Sequence, residues 1–481
     1  MRAAKERGAR PARLNAKGPA AGRSDPIADE IPPETRAGRT RTSGRARADR
    51  PQAAAAAAAG SGLLLLFMIS LLIPVRFTVL GLLLTPDRLL LLIVFVPLAL
   101  RLISGKAGGI RPVDAFVLLY CIWVGIALLV VHGTSHIPFI GITIIELFGG
   151  YLVGRTIVRS QTDYRTFFRY FFWGLLFLLP FVLIEQVTRR LVISELLGTV
   201  FTTPGYVNYD QRMGMNRVQA VFEHPILFGM FCSVGIANFY YLYRRTEFKK
   251  SILLTAFGIF MTFMSVSSSA LLSIILQVGM IIWDKMTNSK WTLFVGLVVA
   301  AYFLVDILSN RTPVQVLISY ATLNSGSAGM RLVIWEYGSA SVAKHPVFGI
   351  GLNDWERIWW LHSPSVDNFW LLNAMRYGLP AVLFLMTGIG FSLWGILRRR
   401  DLSDEDADCR TGYMVAAVAL FFTLCTVHVW GPTSVFVMFY IGAGVWLAEA
   451  GQGPEGGAAV RGGTERAPRA ERKSVAGRAR R

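Results

Sequence analysis

The sequence predicts an all-α, polytopic integral membrane protein of about twelve transmembrane helices, and three observations predict it. Of 481 residues, 53% are hydrophobic and only 16% are charged, whereas a soluble domain carries about 25% charged residues. The apolar residues come in long blocks rather than in a 3.6-residue stripe, and a helix needs about 20 apolar residues to cross roughly 30 Å of hydrocarbon. The short connections between blocks alternate between basic and uncharged, the charge pattern of a chain that crosses a membrane repeatedly.

The elements follow in order. Residues 1–60 form a basic tail rich in Ala, Pro, Gly and Arg; lacking a hydrophobic pattern, it reads as disordered and cytoplasmic. The apolar run from Ala53 to Leu66 resembles a signal peptide, but the polar stretch before it is too long for an n-region, so it reads as the start of the first span. Spans are expected at 61–75, 79–100, 113–131, 137–154, 166–187, 225–243, 251–266, 269–284, 291–308, 367–397, 412–430 and 433–449. The interruption at Thr85-Pro86-Asp87-Arg88 makes the first part of the second segment re-entrant. The tenth segment is long enough to tilt or to begin as an interfacial turn. The transmembrane domain is thus 61–450, followed by a second disordered basic tail at 451–481.

With both termini inside, the inner connections at 101–112, 155–165, 244–250, 285–290 and 398–411 carry nearly all the short-loop Lys and Arg, while 132–136, 267–268 and 431–432 carry none. This orientation places the protein in a bacterial inner membrane with both termini cytoplasmic. The net charge of +19 is not a nucleic-acid signature, because the tails contribute +7 and +5 of it; their charge suits retention in the cytoplasm and attraction to anionic membrane lipids. Cys121, Cys232, Cys409 and Cys425 have no close pairing, so neither a disulfide framework nor a zinc site is expected.

Two outer loops are long, 188–224 and 309–366, and both hold basic residues against the topological bias. Arg189 and Arg190 suit snorkelling at a helix end. Arg212 and Arg217 precede Glu223-His224-Pro225, where Pro225 opens a helix and His224 sits at its N-cap. In the second loop, Leu332, Trp335, Ser339 and Val342 recur at helical spacing after Arg331, as on an interfacial helix that ends at His345-Pro346. Gly349 and Gly351 permit a tight turn; a lone Gly-x-Gly is a weak phosphate-loop signal. Further on lie Arg357, then His362, a candidate general base, and Asp367-Asn368, good caps for the next helix. Within the spans, Arg376 should face the bundle interior, and Asp114 and Glu146 should be paired.

These residues resemble the O-antigen ligase and polymerase superfamily of membrane glycosyltransferases that use polyprenyl-diphosphate-linked glycans. Arg331-Leu-Val-Ile-Trp335 matches that family's Arg-x-x-x-Trp, and His345-Pro346-Val-Phe-Gly349-Ile-Gly351 its His-Pro-x-x-Gly-x-Gly. Asp367-Asn368-Phe-Trp-Leu371 with Gly378 matches its His-Asn-x-x-Leu and following Gly, and Arg217 with Phe222-x-His-Pro225 matches an earlier Arg before a similar turn. The match covers roughly 217–380. Asp367 stands where ligases usually have His, which favours a polymerase.

The resemblance implies a metal-independent transfer with no cofactor. Arg217 and Arg331 would hold the diphosphate, with Arg212 and Arg357 in reserve, since bidentate cations stabilise the charge that grows on the leaving group. His362 or Asp367 would be the base, and His224, His345, Asn368 and Arg376 would support the site. A polymerase of exopolysaccharide, capsule or O-antigen, a ligase transferring glycan to a lipid core or protein, and a transporter or flippase all remain open. A flippase and chain-length or export proteins are the protein partners so implied, and no nucleic acid is expected.

Overall fold

A computed structural model describes residues 58–450, apart from 80–81, 208–210, 289, 311, 314 and 317–324. Both predicted tails lie outside this set, except that 58–60 already belong to the first helix, and so do Arg311 and part of the second long loop.

The chain is all-α and polytopic. The first helix, α1 (Ala58–Leu72), leads into a small antiparallel hairpin, β1 (Phe77–Val79) and β2 (Leu82–Leu84). The predicted interruption is therefore real. Thr85 is extended and Pro86 opens α2 (Pro86–Ile103), because proline fits the first helical position and disfavours helix in the residue before it. Next come α3 (Pro112–His132), α4 (Ile137–Ile157), α5 (Gln161–Thr188) and the short α6 (Val192–Leu197). The sixth predicted span is two abutting helices, α7 (Pro225–Ser233) and α8 (Gly235–Tyr243). They are followed by α9 (Phe248–Phe263), α10 (Ser268–Thr287), α11 (Trp291–Leu308) and the loop helix α12 (Ser325–Lys344). The long tenth segment breaks at Gly378 into α13 (Phe369–Tyr377) and α14 (Leu379–Leu397), and α15 (Asp404–Thr423) and α16 (Pro432–Ala443) complete the chain.

Among the described helical stretches, seven are long and apolar enough to cross a membrane, and Ala58–Leu72 and Pro432–Ala448 are shorter apolar ones. The other three predicted spans are helical but compromised. Asp87, Arg88 and Arg101 lie in α2, α9 has 16 residues, and α15 opens on Asp404, Glu405 and Asp406. The twelfth block is also shorter than predicted, for α16 gives way to a 3-10 turn at Val445–Ala448.

Close backbone contact holds the bundle centre. A side chain at Gly150, Gly154 or Gly442 would run into the backbone of the facing helix, Gly150 against Val435 and Gly442 against Tyr151. Small residues at four-residue spacing let α4 and α16 meet backbone to backbone, where packing replaces the missing hydrophobic drive. Around this seam, Phe67, Phe167, Phe171, Phe436 and Phe439 form one aromatic core.

The connections sort to two ends. At one, ion pairs dominate. Arg155, fully buried, donates to Asp114 at 2.9 Å and to Glu449 at 3.0 Å, and Arg244 bridges Asp284 at 3.2 Å and Asp408 at 2.6 Å. These are the predicted inner connections. At the other end the predicted outer loops interlock. Arg76 N–H donates to Thr202 O at 2.8 Å, Val218 N–H to Met264 O at 3.1 Å, Leu352 N–H to His132 Nε2 at 2.7 Å, and Phe369 N–H to Leu424 O at 2.9 Å. Glu146 pairs with Arg88 at 2.8 Å.

Candidate functional site

The interlocked end carries the site, and its first part is the turn at 217–224. Val218 is fixed to Met264, and the turn then reverses at Ala220, whose φ is +52°. A left-handed alanine is strained, and Glu185 near the end of α5 holds it in place: one carboxylate oxygen accepts Gln219 N–H and the other Ala220 N–H, each at 2.8 Å. The turn leaves Arg217 only 8% exposed. Glu223 pairs with Arg76 and accepts Trp430 Nε1–H at 2.7 Å. His224 caps α7, its Nδ1 accepting Ile226 N–H at 3.0 Å. Burial, then Arg217 and Arg212, lowers its pKa to about 4, so the ring is neutral at pH 7.

The second part is the clamp at 345–352. After α12 ends at Lys344, Ile350 N–H donates to Met375 O at 2.7 Å, Gly351 N–H to Arg376 O at 2.9 Å and Leu379 N–H to Pro346 O at 2.8 Å. A side chain at Gly378, whose φ is +80°, would strike the Val347 carbonyl, so the α13–α14 break and the clamp require each other. The amide groups of the Gly-x-Gly turn are spent on these carbonyls and are not offered to an anion. Trp123 on α3 stacks on Phe348 at 5.5 Å and donates to Tyr377 O at 2.9 Å.

The third part is the start of α13. Asn368, 8% exposed, caps it by accepting Leu371 N–H at 2.9 Å. Phe369 N–H also reaches Val427 O at 3.0 Å, tying this cap to the loop 424–431. That loop falsifies a predicted boundary, since the eleventh span ends at 423 rather than 430. Thr423 and Thr426 hydroxyls donate to Leu420 O and Thr423 O, and Val427 and Val429 are buried inside the protein, where hydropathy cannot tell them from lipid-facing residues.

Between α12, the start of α13 and the loop 424–431 lies a small cavity lined by Arg331, Ile334, Trp335, Asp367, Asn368, Leu371 and Cys425. Its volume is about 10 Å³, room for about one water. Arg331 is 8% exposed, and its Nε and Nη1 are buried without a hydrogen-bond partner among the described residues. Burial lowers its proton affinity, Asp367 opposes that, and Arg212 adds to it. A buried donor without a partner is costly and calls for an explanation. The cavity adjoins an apolar groove of about 400 Å³ that shares Trp335, Asn368, Leu371 and Cys425 with it and extends along Ser339, Val342, Leu379 and Met386. The groove therefore runs along the first turns of α14, a candidate span, with a buried cation at its end.

The predicted residues divide accordingly. Arg331, Asp367 and Asn368 line the cavity. Arg217 and His224 share one turn, and Arg212, whose Nη1 reaches Ser268 Oγ at 3.4 Å, acts electrostatically on both His224 and Arg331. Arg376 is half-buried in the last turn of α13. Arg357 is occupied within its own loop, pairing with Asp354 and donating to Leu361 O at 2.7 Å. His362 and His345 are exposed and line neither cavity nor groove. Sequence reasoning passed over Glu185, Trp430 and His428. His428 stacks on Trp430 at 5.7 Å and on Phe369 at 6.4 Å, and Trp430 meets His224 edge-on at 6.0 Å.

No curated protein matches the chain. Residues 253–386 match a family model described as O-antigen ligase, a span that runs from α9 into α14 and contains Arg331, the clamp, Asp367, Asn368 and Arg376. With its apolar helices the chain is an all-α polytopic membrane protein, and the stretch that holds this cavity and clamp is similar to the O-antigen ligase domain.

Proposed function

We propose that this protein is a polysaccharide polymerase that joins polyprenyl-diphosphate-linked repeat units at the outer face of the bacterial inner membrane. The observation that carries the reading is the apolar groove adjoining the cavity of Arg331, whose buried Nε and Nη1 have no hydrogen-bond partner among the described residues. An isoprenoid chain suits the groove, and its diphosphate suits the junction where Arg331 and Asn368 meet it. The cavity itself is too small for a diphosphate, so the head group lies at its mouth.

Transfer breaks the bond between the anomeric carbon and the diphosphate oxygen and leaves negative charge on the diphosphate. Fixed cations in a site of low dielectric stabilise that charge without reorganising, and a guanidinium does so through paired N–H donors. Arg331 acts first, with Arg217 and Arg212 on the facing turn. The acceptor sugar approaches from the loop side, away from the lipid groove.

Deletion of the gene followed by analysis of surface polysaccharide tests this reading. Loss of polymer, with single repeat units accumulating on the carrier lipid, is expected, and Arg331→Ala should reproduce it at normal membrane abundance. Intact polymer retained on the carrier would instead identify a ligase, which the family match equally accommodates. Normal polymer, correctly anchored, would refute both.

A further inference from the structure

We propose that His428 is the catalytic residue that takes the proton from the acceptor hydroxyl. The inference rests on the glycosyl-transfer reading above and assigns its missing base. The other candidates are committed elsewhere or exposed. His362 and His345 are exposed, with neither ring fixed against the residues around Asn368. The Nδ1 of His224 is used in capping α7. Asp367 lies in the field of Arg331 and accepts Ser365 Oγ–H at 3.1 Å.

His428 differs in three ways. It belongs to the loop 424–431, whose Cys425 lines the Arg331 cavity and whose Val427 carbonyl is bonded to Phe369 N–H directly beside Asn368. Its ring stacks on Trp430 at 5.7 Å, 28° from coplanar, and on Phe369, the residue after Asn368, at 6.4 Å, 18° from coplanar, contacts that restrain its rotation. Its Nδ1 is buried and has no hydrogen-bond partner among the described residues. An imidazole nitrogen in that condition is either a cost without return or an acceptor awaiting a donor.

The electrostatics agree with a neutral ring. Burial, then Arg376, lowers the His428 pKa to about 3. An anionic donor bound near Arg376 offsets that arginine's share of the shift.

In the step itself, the acceptor oxygen forms a bond to the anomeric carbon using a lone pair. The bond from that carbon to the diphosphate oxygen breaks, and its electron pair leaves on polyprenyl diphosphate. The hydroxyl proton passes to Nδ1 of His428, and the imidazolium then releases it to water.

The test uses the full-length protein in detergent and the polyprenyl-diphosphate glycans extracted from the deletion strain. Turnover by the wild type judges the underlying reading by itself. Given that turnover, His428→Gln, which keeps the side chain's volume and polarity, should lower kcat by about 10²–10⁴-fold, the range attributed to a general base. Donor KM and the thermal unfolding midpoint should stay close to wild type. His428→Asn should behave alike. A kcat within about threefold of wild type in either variant, or a loss confined to KM, would overturn the assignment.

Discussion

Replacing Arg331 with methionine should make the empty protein more stable and the enzyme inactive. Arg331 is 8% exposed, and two of its nitrogens are buried without hydrogen-bond partners among the described residues. Each unsatisfied buried donor costs about 1–3 kcal/mol. Asp367 returns part of that through attraction, and methionine fills the stem's volume without the charge. Exchanging buried charged groups for apolar ones of similar size is often stabilising by about 1–4 kcal/mol, so a net gain of about 1–3 kcal/mol is expected here. The donor should act the opposite way. Polyprenyl diphosphate at about 100 times its Kd adds about 2.7 kcal/mol to a protein that binds it only when folded, and the methionine variant should forfeit that. Thermal unfolding in detergent, with and without polyprenyl diphosphate, reads both effects. Wild type should shift upward with the lipid; Arg331→Met should start higher and not shift. A variant that starts several degrees lower and still responds to the lipid would refute the reasoning, for Arg331 would then be a structural partner rather than a waiting one.

Other outcomes follow from the same geometry. Because the folded pKa of His224 is about 4, below the ordinary value near 6.5, the unfolded chain binds more protons between those limits. Its contribution, of the order of 3 kcal/mol, is fully present above pH 6.5 and is lost as pH falls toward 4; His224→Asn, which keeps the N-cap, should flatten a plot of unfolding midpoint against pH in that window. Glu185→Ala strands the buried N–H groups of Gln219 and Ala220 and should cost about 2–4 kcal/mol, with donor KM rising at least about tenfold as the Arg217 turn loosens. Ser339→Trp places an indole in the apolar groove; donor KM should rise by about tenfold or more with the unfolding midpoint unchanged, and an unaltered KM would remove the groove from the account.

The helical blocks were legible because apolar length is a direct reading of hydrocarbon thickness, and Pro86 marked the real start of α2. The break at Gly378 was half-visible. A long block suggested a bend, but only the close approach of the Val347 carbonyl shows why glycine must sit there. Among the arginines, the resemblance put Arg357 in reserve behind Arg331, and Asp354 three residues before Arg357 pairs with it. His428 escaped notice for a simple reason. Val427 and Val429 on either side are buried against protein, and a hydropathy scan assigns such residues to lipid. Glu185 escaped likewise, as a single carboxylate at the end of an apolar helix whose partners are backbone amides more than thirty residues away.

The central claim is that the groove and its buried arginine hold a lipid diphosphate whose glycan is transferred. Release of polyprenyl diphosphate from the extracted lipid-linked glycans, followed over time with purified wild type and Arg331→Met, measures it most directly. Release accompanied by longer glycan in the wild type, and at least 100-fold slower release in a well-folded variant, is predicted. Equal release by the two proteins would contradict the claim.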